Sequence, residues 1–251
     1  MLYPLKLNAA FKDYLWGGTR LRDEFNKQTD IDPVAESWEL SCHHDGQSII
    51  SNGEFSGKTL AQYIETVGKQ VIGTKAPKDK DFPILIKFID AKQSLSVQVH
   101  PDDKYALLHE GESGKTEMWY VMDATPDATL IYGFTHEISH HEFERRIKDN
   151  TLLEVCNQVP IKKGDVFFIE AGTLHAIGAG ALIAEIQQSS NSTYRVYDYG
   201  RVGKDGKLRE LHIEKALAVT KLEPPTRKPE PIAKLTAFAD YDLTILAQCE
   251  L

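Results

Sequence analysis

Two segments of the chain carry side chains of metal-binding type at fixed spacing. In SLSVQVHPDD (94–103), strict alternation puts Leu95, Val97 and Val99 on one face of a strand and Ser94, Ser96, Gln98 and His100 on the other. Gln98 and His100 then point the same way, as two ligands delivered by one strand would, and Pro101 ends the ladder. In GKTEMWYVMD (114–123), Glu117 shares a strand face with Trp119 and Val121. A carboxylate among such neighbours is costly unless its charge is compensated, and a cation would do that. A third segment, KKGDVFFIEAGTLHAIGAG (162–180), runs from a turn through a strand into a glycine-flanked loop carrying His175. Gln98, His100, Glu117 and His175 together offer two imidazoles, one carboxylate and one amide oxygen. This set suits Zn2+, and less well Fe, Mn or Co, with a position left for water or substrate. Taken singly, each piece has a plainer reading: a strand whose polar side faces water, and a β-turn with an incidental histidine.

Other chemistry-like patterns do not hold together. HEISH (136–140) matches H-E-x-x-H, but Ser139 is a good N-cap for HHEFERRI, so His136 and His140 straddle a helix start instead of sharing a face. Gly-Lys-Thr occurs at 57–59 and 114–116, yet Asn52 and His109 stand where a phosphate-binding loop needs its upstream glycine. Gly178-Ala179-Gly180 has Ile183 at the third dinucleotide-glycine position and reads as a turn.

The elements that must position these residues are mostly strands. From about residue 80 onward, PILIKFIDA, SLSVQVH, EMWYVMD, TLIYGF, DVFFIEA, ALIAEIQQ and STYRVYDY are β-branched or aromatic runs divided by turn residues. Their number and spacing predict a sandwich or jelly roll. Apolar residues at three- and four-residue spacing predict helices over 59–68, 139–150 and 208–221. EPPTRKPEPI (223–232) reads as an extended linker. The remaining LTAFADYDLTILAQCEL is too short for a domain, which divides the chain into 1–222 and 223–251.

Composition narrows the partners. Among 251 residues, 29 Lys+Arg against 37 Asp+Glu give a formal charge of −8, with no basic run to bind nucleic acid. The N-terminus lacks the apolar core of a secretory signal, and runs such as PILIKFI are far too short to span a membrane. Cys42, Cys156 and Cys249 are widely spaced, which argues against a disulfide framework or thiolate zinc site and makes a reducing cytoplasm the default.

Five co-ordered segments carry a family resemblance: ESWEL (36–40), ILIKFIDAKQSLSVQVHPDD (84–103), GKTEMWY (114–120), AGTLHAIGAG (171–180) and IAEIQQSSNSTYRVYDYGR (183–201). The spacing Gly164-x5-Glu170-x-Gly172-x2-His175 resembles the second motif of the cupin superfamily, with Glu170 replacing the usual Pro and Ala179 the final Asn. Together the segments resemble the type I mannose-6-phosphate isomerases in their short bacterial form. The resemblance implies a mainly β fold: a cupin-type jelly roll with a few helices and a second β-sandwich incomplete at the C-terminus. It implies a cytoplasmic enzyme with one Zn2+ per chain that interconverts mannose 6-phosphate and fructose 6-phosphate through an enediol, as monomer or homodimer, with no nucleic-acid or membrane partner. It also implies that Gln98, His100, Glu117 and His175 hold the metal and that Arg195 occupies the catalytic position. Trp16, Glu36, Lys87, Lys115 and Glu185 fall at pocket positions, with Lys115 and Glu185 as further catalytic candidates.

On the residues' own reading, Arg195 shares a strand face with Tyr197 and Tyr199 and could hold a phosphate or a developing enolate. Glu185, inside ALIAEI, needs a partner if buried. Lys87 reads as a lysine snorkelling from an edge strand, Trp16 as a core aromatic and Glu36 as a surface charge. The identity of the base stays open, since an arginine is a poor one. Asn191 stands where longer relatives carry an acid. The alternative is a metal-containing sugar-phosphate-binding or regulatory cupin without turnover, which would have no need to keep Arg195 together with Lys115.

Overall fold

The apolar alternation of the long runs is satisfied by two antiparallel sheets packed face to face. The structure, a computed structural model, describes residues 2–73, 82–203, 205–233 and 235–249. Its first strands are β1 (Leu7–Asn8), β2 (Ala10–Lys12), β3 (Glu36–Leu40), β4 (Ile49–Ile50), β5 (Ile84–Ala91), β6 (Val97–Val99), β7 (Glu117–Ala124) and β8 (Thr129–Phe134). They continue as β9 (Cys156–Pro160), β10 (Val166–Ile169), β11 (His175–Ile177), β12 (Ala181–Gln188), β13 (Tyr194–Tyr197), β14 (Thr236–Ala237) and β15 (Asp242–Leu243). The helices are α1 (Arg20–Asp23), α2 (Leu60–Val67), α3 (Asp103–His109), α4 (His140–Lys148) and α5 (Ile213–Val219).

One sheet has six strands in the order β10-β7-β12-β5-β3-β2, and the other five in the order β13-β6-β11-β8-β9. Inward residues of both sheets, among them Ile89, Trp119, Val121, Leu130, Tyr132, Phe167, Ile177 and Ile183, form one buried cluster. This is the mainly β, cupin-type sandwich expected. A second cluster joins the other face of the five-stranded sheet (Val97, Val99, Ile131, Ala176, Val196) to Phe143 and Ile147 of α4 and Ala216 of α5. At the C-terminal end β14 pairs with β15 in a two-stranded sheet, and Phe238, Tyr241, Leu243 and Ile245 are exposed.

Local signals account for the helices. Thr59 caps α2 with a reciprocal capping box to Gln62, and Gly68 closes it with φ +101°. Ser139 caps α4 through the Glu142 amide, so His136 lies outside the helix and His140 opens it. Asp102 caps α3 through the Tyr105 amide.

Several expectations need correction. The helix expected over 208–221 is shorter: Leu208 forms a bridge to Val202, and α5 starts only after His212. The alternation in 94–103 is regular only from Val97, and Leu95 packs in the inter-sheet cluster, apart from Val97 and Val99. Lys87 lies in β5, interior to its sheet and 3% exposed, so it does not snorkel from an edge. Tyr199 sits beyond β13 at φ +58°, and the register shifts between Arg195 and Tyr197, so these three do not share one regular face. Glu36 is buried and not a surface charge. Among the described residues, no helix is long and apolar enough to cross a membrane.

Candidate active site

Strand register assembles the site as two facing rows. Across the six-stranded sheet, Trp119 of β7 lies opposite Glu185 of β12, Glu185 opposite Lys87 of β5, and Lys87 opposite Trp38 of β3. Directly paired residues share a face, and the side chains form a chain along this row. Trp119 Nε1 donates to Glu185 Oε2 at 2.9 Å, and Lys87 Nζ stands 3.3 Å from Glu185 Oε1 and 3.8 Å from Glu36 Oε2. The same ammonium lies 4.8 Å from the centre of the Trp38 ring, whose Nε1 donates to Glu36 at 2.6 Å. Across the five-stranded sheet the matching row is Arg195 of β13, Gln98 of β6, His175 of β11 and Tyr132 of β8. The Trp119 and His175 rings meet edge to face at 5.3 Å and join the two rows.

His100 and Glu117 join His175 of the second row in one cluster, all three buried. His100 Nε2 and His175 Nε2 are 3.1 Å apart, and they stand 3.6 and 3.5 Å from the two oxygens of Glu117. Each imidazole is oriented from behind. His100 Nδ1 meets the Ser192 carbonyl at 2.9 Å and His175 Nδ1 meets the Thr173 carbonyl at 2.8 Å. A carbonyl can only accept, so each Nδ1 carries the proton and each Nε2 turns a lone pair toward Glu117. Burial pushes His175 down to about 4 and His100 well below its ordinary value, which keeps both rings neutral.

Burial, followed by the charge of Glu185, raises the Glu117 carboxyl to about 7. Lys115 Nζ pairs with its Oε2 at 2.9 Å and lies 3.0 Å from His100 Nε2, which leaves Oε1 as a buried oxygen with no hydrogen-bond donor among the described residues. Lone pairs from three side chains thus converge on one point with too little positive charge to satisfy them. That donor set fits a divalent cation of the zinc type.

These groups adjoin a cavity of about 280 Å³ whose walls bring together Trp16, Glu36, Lys87, Gln98, Lys115, Glu185 and Arg195. Seven of the ten candidate site residues therefore line this cavity, and His100, Glu117 and His175 lie beside it, His100 and Glu117 against Lys115. Gln98 sits opposite His175 in register and accepts from Ser96 Oγ at 3.5 Å. Glu185 is buried, which favours its neutral form, but Lys115 and Lys87 outweigh burial and hold its carboxyl below the ordinary range. Burial, then Arg209, lowers the Arg195 guanidinium. Its Nη1 donates to the Glu210 carbonyl at 3.0 Å, and its buried Nε has no partner among the described residues.

The cavity also holds residues that the sequence did not single out. Tyr14 lines it beside Trp16, with ring centres 5.5 Å apart, and the alternation in YLWGG was a usable signal. Arg209 reaches it from a segment expected to be helical. The bridge from Val202 to Leu208 folds this segment back, and Asp198 holds Arg209 Nε at 2.7 Å while also accepting from Arg201. No short-range pattern announces such a closure.

The chain matches the family description "Phosphomannose isomerase type I, catalytic domain" over residues 4–130. It is 43% identical over 227 residues to the mannose-6-phosphate isomerase of Streptococcus mutans, spanning 90% of this chain and 70% of that one. It is 40% identical over 247 residues to the Bacillus subtilis mannose-6-phosphate isomerase ManA, spanning 98% and 76%. The crystal structure of the mannose 6-phosphate isomerase from Bacillus subtilis superposes with a TM-score of 0.91 at 37% identity, over 99% of this chain and 78% of that one.

Proposed function

Since the chain belongs to the type I phosphomannose isomerase family, we propose that it interconverts mannose 6-phosphate and fructose 6-phosphate at a Zn2+ site through an enediol. The observation that carries this reading is the convergence of His100, His175 and Glu117 lone pairs beside a cavity that also presents Glu185 and Arg195. His100, Glu117 and His175, with Gln98 beside His175, would hold the cation, which when bound acts as a Lewis acid toward the sugar oxygens.

The remaining steps fall to the chain's own groups. Aldose-to-ketose conversion breaks the C2–H bond, delivers that proton to C1, and transfers the O2 hydroxyl proton to O1. Glu185 is ionised and buried, with Trp119 on Oε2, and carries the carbon-bound proton on its other oxygen, Oε1. Arg195, half-buried in the cavity wall, stabilises the oxyanion as its charge develops. Lys115, beside Glu117 and His100, is the donor that accompanies the hydroxyl proton transfer. Arg209, which shares the single carboxylate of Asp198 with Arg201, gives its wall an excess of positive charge suited to the phosphate dianion. Trp16 and Tyr14 supply an apolar face for the sugar ring.

The test measures zinc content and conversion of mannose 6-phosphate for the parent and for Arg195→Ala. One zinc per chain, with turnover that falls on the order of 10²–10³-fold in the variant while zinc is retained, is the expected result. A parent that binds no zinc, or binds it without turnover, overturns the reading.

A further inference from the structure

His100 depends on the Ser192 carbonyl, and Ser192 lies in the segment joining β12 to β13, outside any regular ladder. Gln187 Nε2 holds its start through the Ser190 carbonyl at 2.7 Å, and Glu112, in the turn between α3 and β7, ties down Asn191 and Ser192. Its Oε1 accepts a short hydrogen bond from Ser192 Oγ, and its Oε2 accepts from the Asn191 amide at 3.4 Å and pairs with His43 Nε2 at 3.2 Å. His43 is buried and oriented in turn. Its Nδ1 accepts the Asp45 amide at 3.2 Å, which leaves the proton on Nε2 facing Glu112. Asn191 Nδ2 donates to Asp45 Oδ2 at 2.8 Å and closes the circuit.

Three segments distant in sequence, 43–45, 112 and 190–193, are thus tied at one carboxylate. Burial alone would raise the Glu112 carboxyl, but the bonds from His43, Ser192 and the Asn191 amide overcome it and bring it down to about 2. The group is therefore an anion at mildly acidic and neutral pH. The same turn continues into Lys115 and Glu117, and Asn191 and Thr193 line the cavity.

We infer that Glu112 is a positioning residue for the metal centre: by holding Ser192 it fixes the carbonyl that locks the His100 ring, and with it the direction of His100 Nε2. This rests on the reading of His100 as a ligand. Residues that orient a metal-bound imidazole through its far nitrogen commonly contribute 10–100-fold in metal affinity.

The experiment titrates the full metal-free chain with Co2+, following the visible d–d band, and measures Zn2+ affinity by competition with a chromophoric chelator. It compares the parent with Glu112→Ala, Glu112→Gln and Ser192→Ala, and records kcat and KM of the zinc-loaded forms. The expected result is a 10–100-fold loss of metal affinity in Glu112→Ala with an altered Co2+ band. Glu112→Gln, which keeps one acceptor for Ser192, should be intermediate, and Ser192→Ala should lose part of the same affinity. If Glu112→Ala does not fold, Glu112→Gln and Ser192→Ala decide the matter. Affinity within twofold of the parent and an unchanged band in the folded variants overturn the inference while leaving the isomerase reading intact. A parent that binds neither Co2+ nor Zn2+ overturns both.

Discussion

Lys87 and Glu185 form an ion pair inside the sheet, each about 3% exposed. Removing one member of such a pair strands the other charge, at a cost of about 3–5 kcal/mol, whereas removing both can be nearly neutral. Lys87→Met should therefore lower the melting temperature strongly, and Lys87→Met combined with Glu185→Gln should recover much of that loss. The pair also sets a protonation state. Lys115 and Lys87 hold the Glu185 carboxyl below its ordinary range against the pull of burial. Losing Lys87 lets its pKa rise, so a larger share of Glu185 is protonated at a given mildly acidic pH. If Glu185 is the group that accepts the carbon-bound proton, the acid limb of kcat in Lys87→Met moves to higher pH, and Glu185→Gln loses about 10²–10⁴-fold in kcat. A lower kcat with an unmoved acid limb would assign proton transfer to another residue.

The approach of α3 to the strand carrying Glu117 turns on one residue without a side chain. A Cβ on Gly114 would lie 2.4 Å from the Asp103 backbone nitrogen and 2.5 Å from the Asp102 carbonyl carbon, both backbone atoms that cannot swing aside. Here the Gly114 amide donates to Asp103 Oδ1 at 2.8 Å and the Lys115 amide to the Pro101 carbonyl at 3.0 Å. The start of α3, just after His100, is thereby stitched to the start of β7, just before Glu117. Gly114→Ala should cost about 1–3 kcal/mol by overpacking and weaken metal binding as the two ligand-bearing segments separate. Thermal melts paired with metal content check this, and a destabilised variant with full metal affinity would mean that the two strands hold the ligands unaided. At this scale the sequence was readable where signals are local. β5, β7, β8, β10 and β12 are long apolar runs, α2 and α4 have capping residues, and alternation puts Gln98 beside His100. It was unreadable where pairing partners lie far apart in the chain. Two- and three-residue strands such as β1, β4 and β11 exist only by their partners, the interior position of Lys87 depends on strand order, and Arg209 enters the cavity through a reversal that periodicity read as helix. Glu112, with no motif around it, was invisible for the same reason.

For the molecule as a whole, the metal-binding groups and the cavity walls all precede residue 210, whereas the exposed apolar residues near the C-terminus all follow 230. The segment between them is docked. Pro225 packs so closely on Gly133 that a Cβ there would meet it at 2.5 Å, Arg227 lies 4.0 Å from the centre of the Phe168 ring, and Glu170 pairs with both Lys221 and Arg227. Beyond it, β14 and β15 are exposed throughout, and residues 247–249 line a cleft with Ile84, Met118 and Ile186. Ending the chain after Pro229 would remove the hairpin while leaving the Pro225 and Arg227 contacts in place. We expect such a variant to keep its zinc and turnover, with a melting temperature lower by only a few degrees, corresponding to about 1 kcal/mol for a domain of this size. Measurement of zinc content, turnover and melting temperature on the shortened chain decides this. A loss of zinc would show that the cleft at Met118 transmits the C-terminal contact along β7 to Glu117, one residue away, and that the sandwich alone does not hold the ligand set.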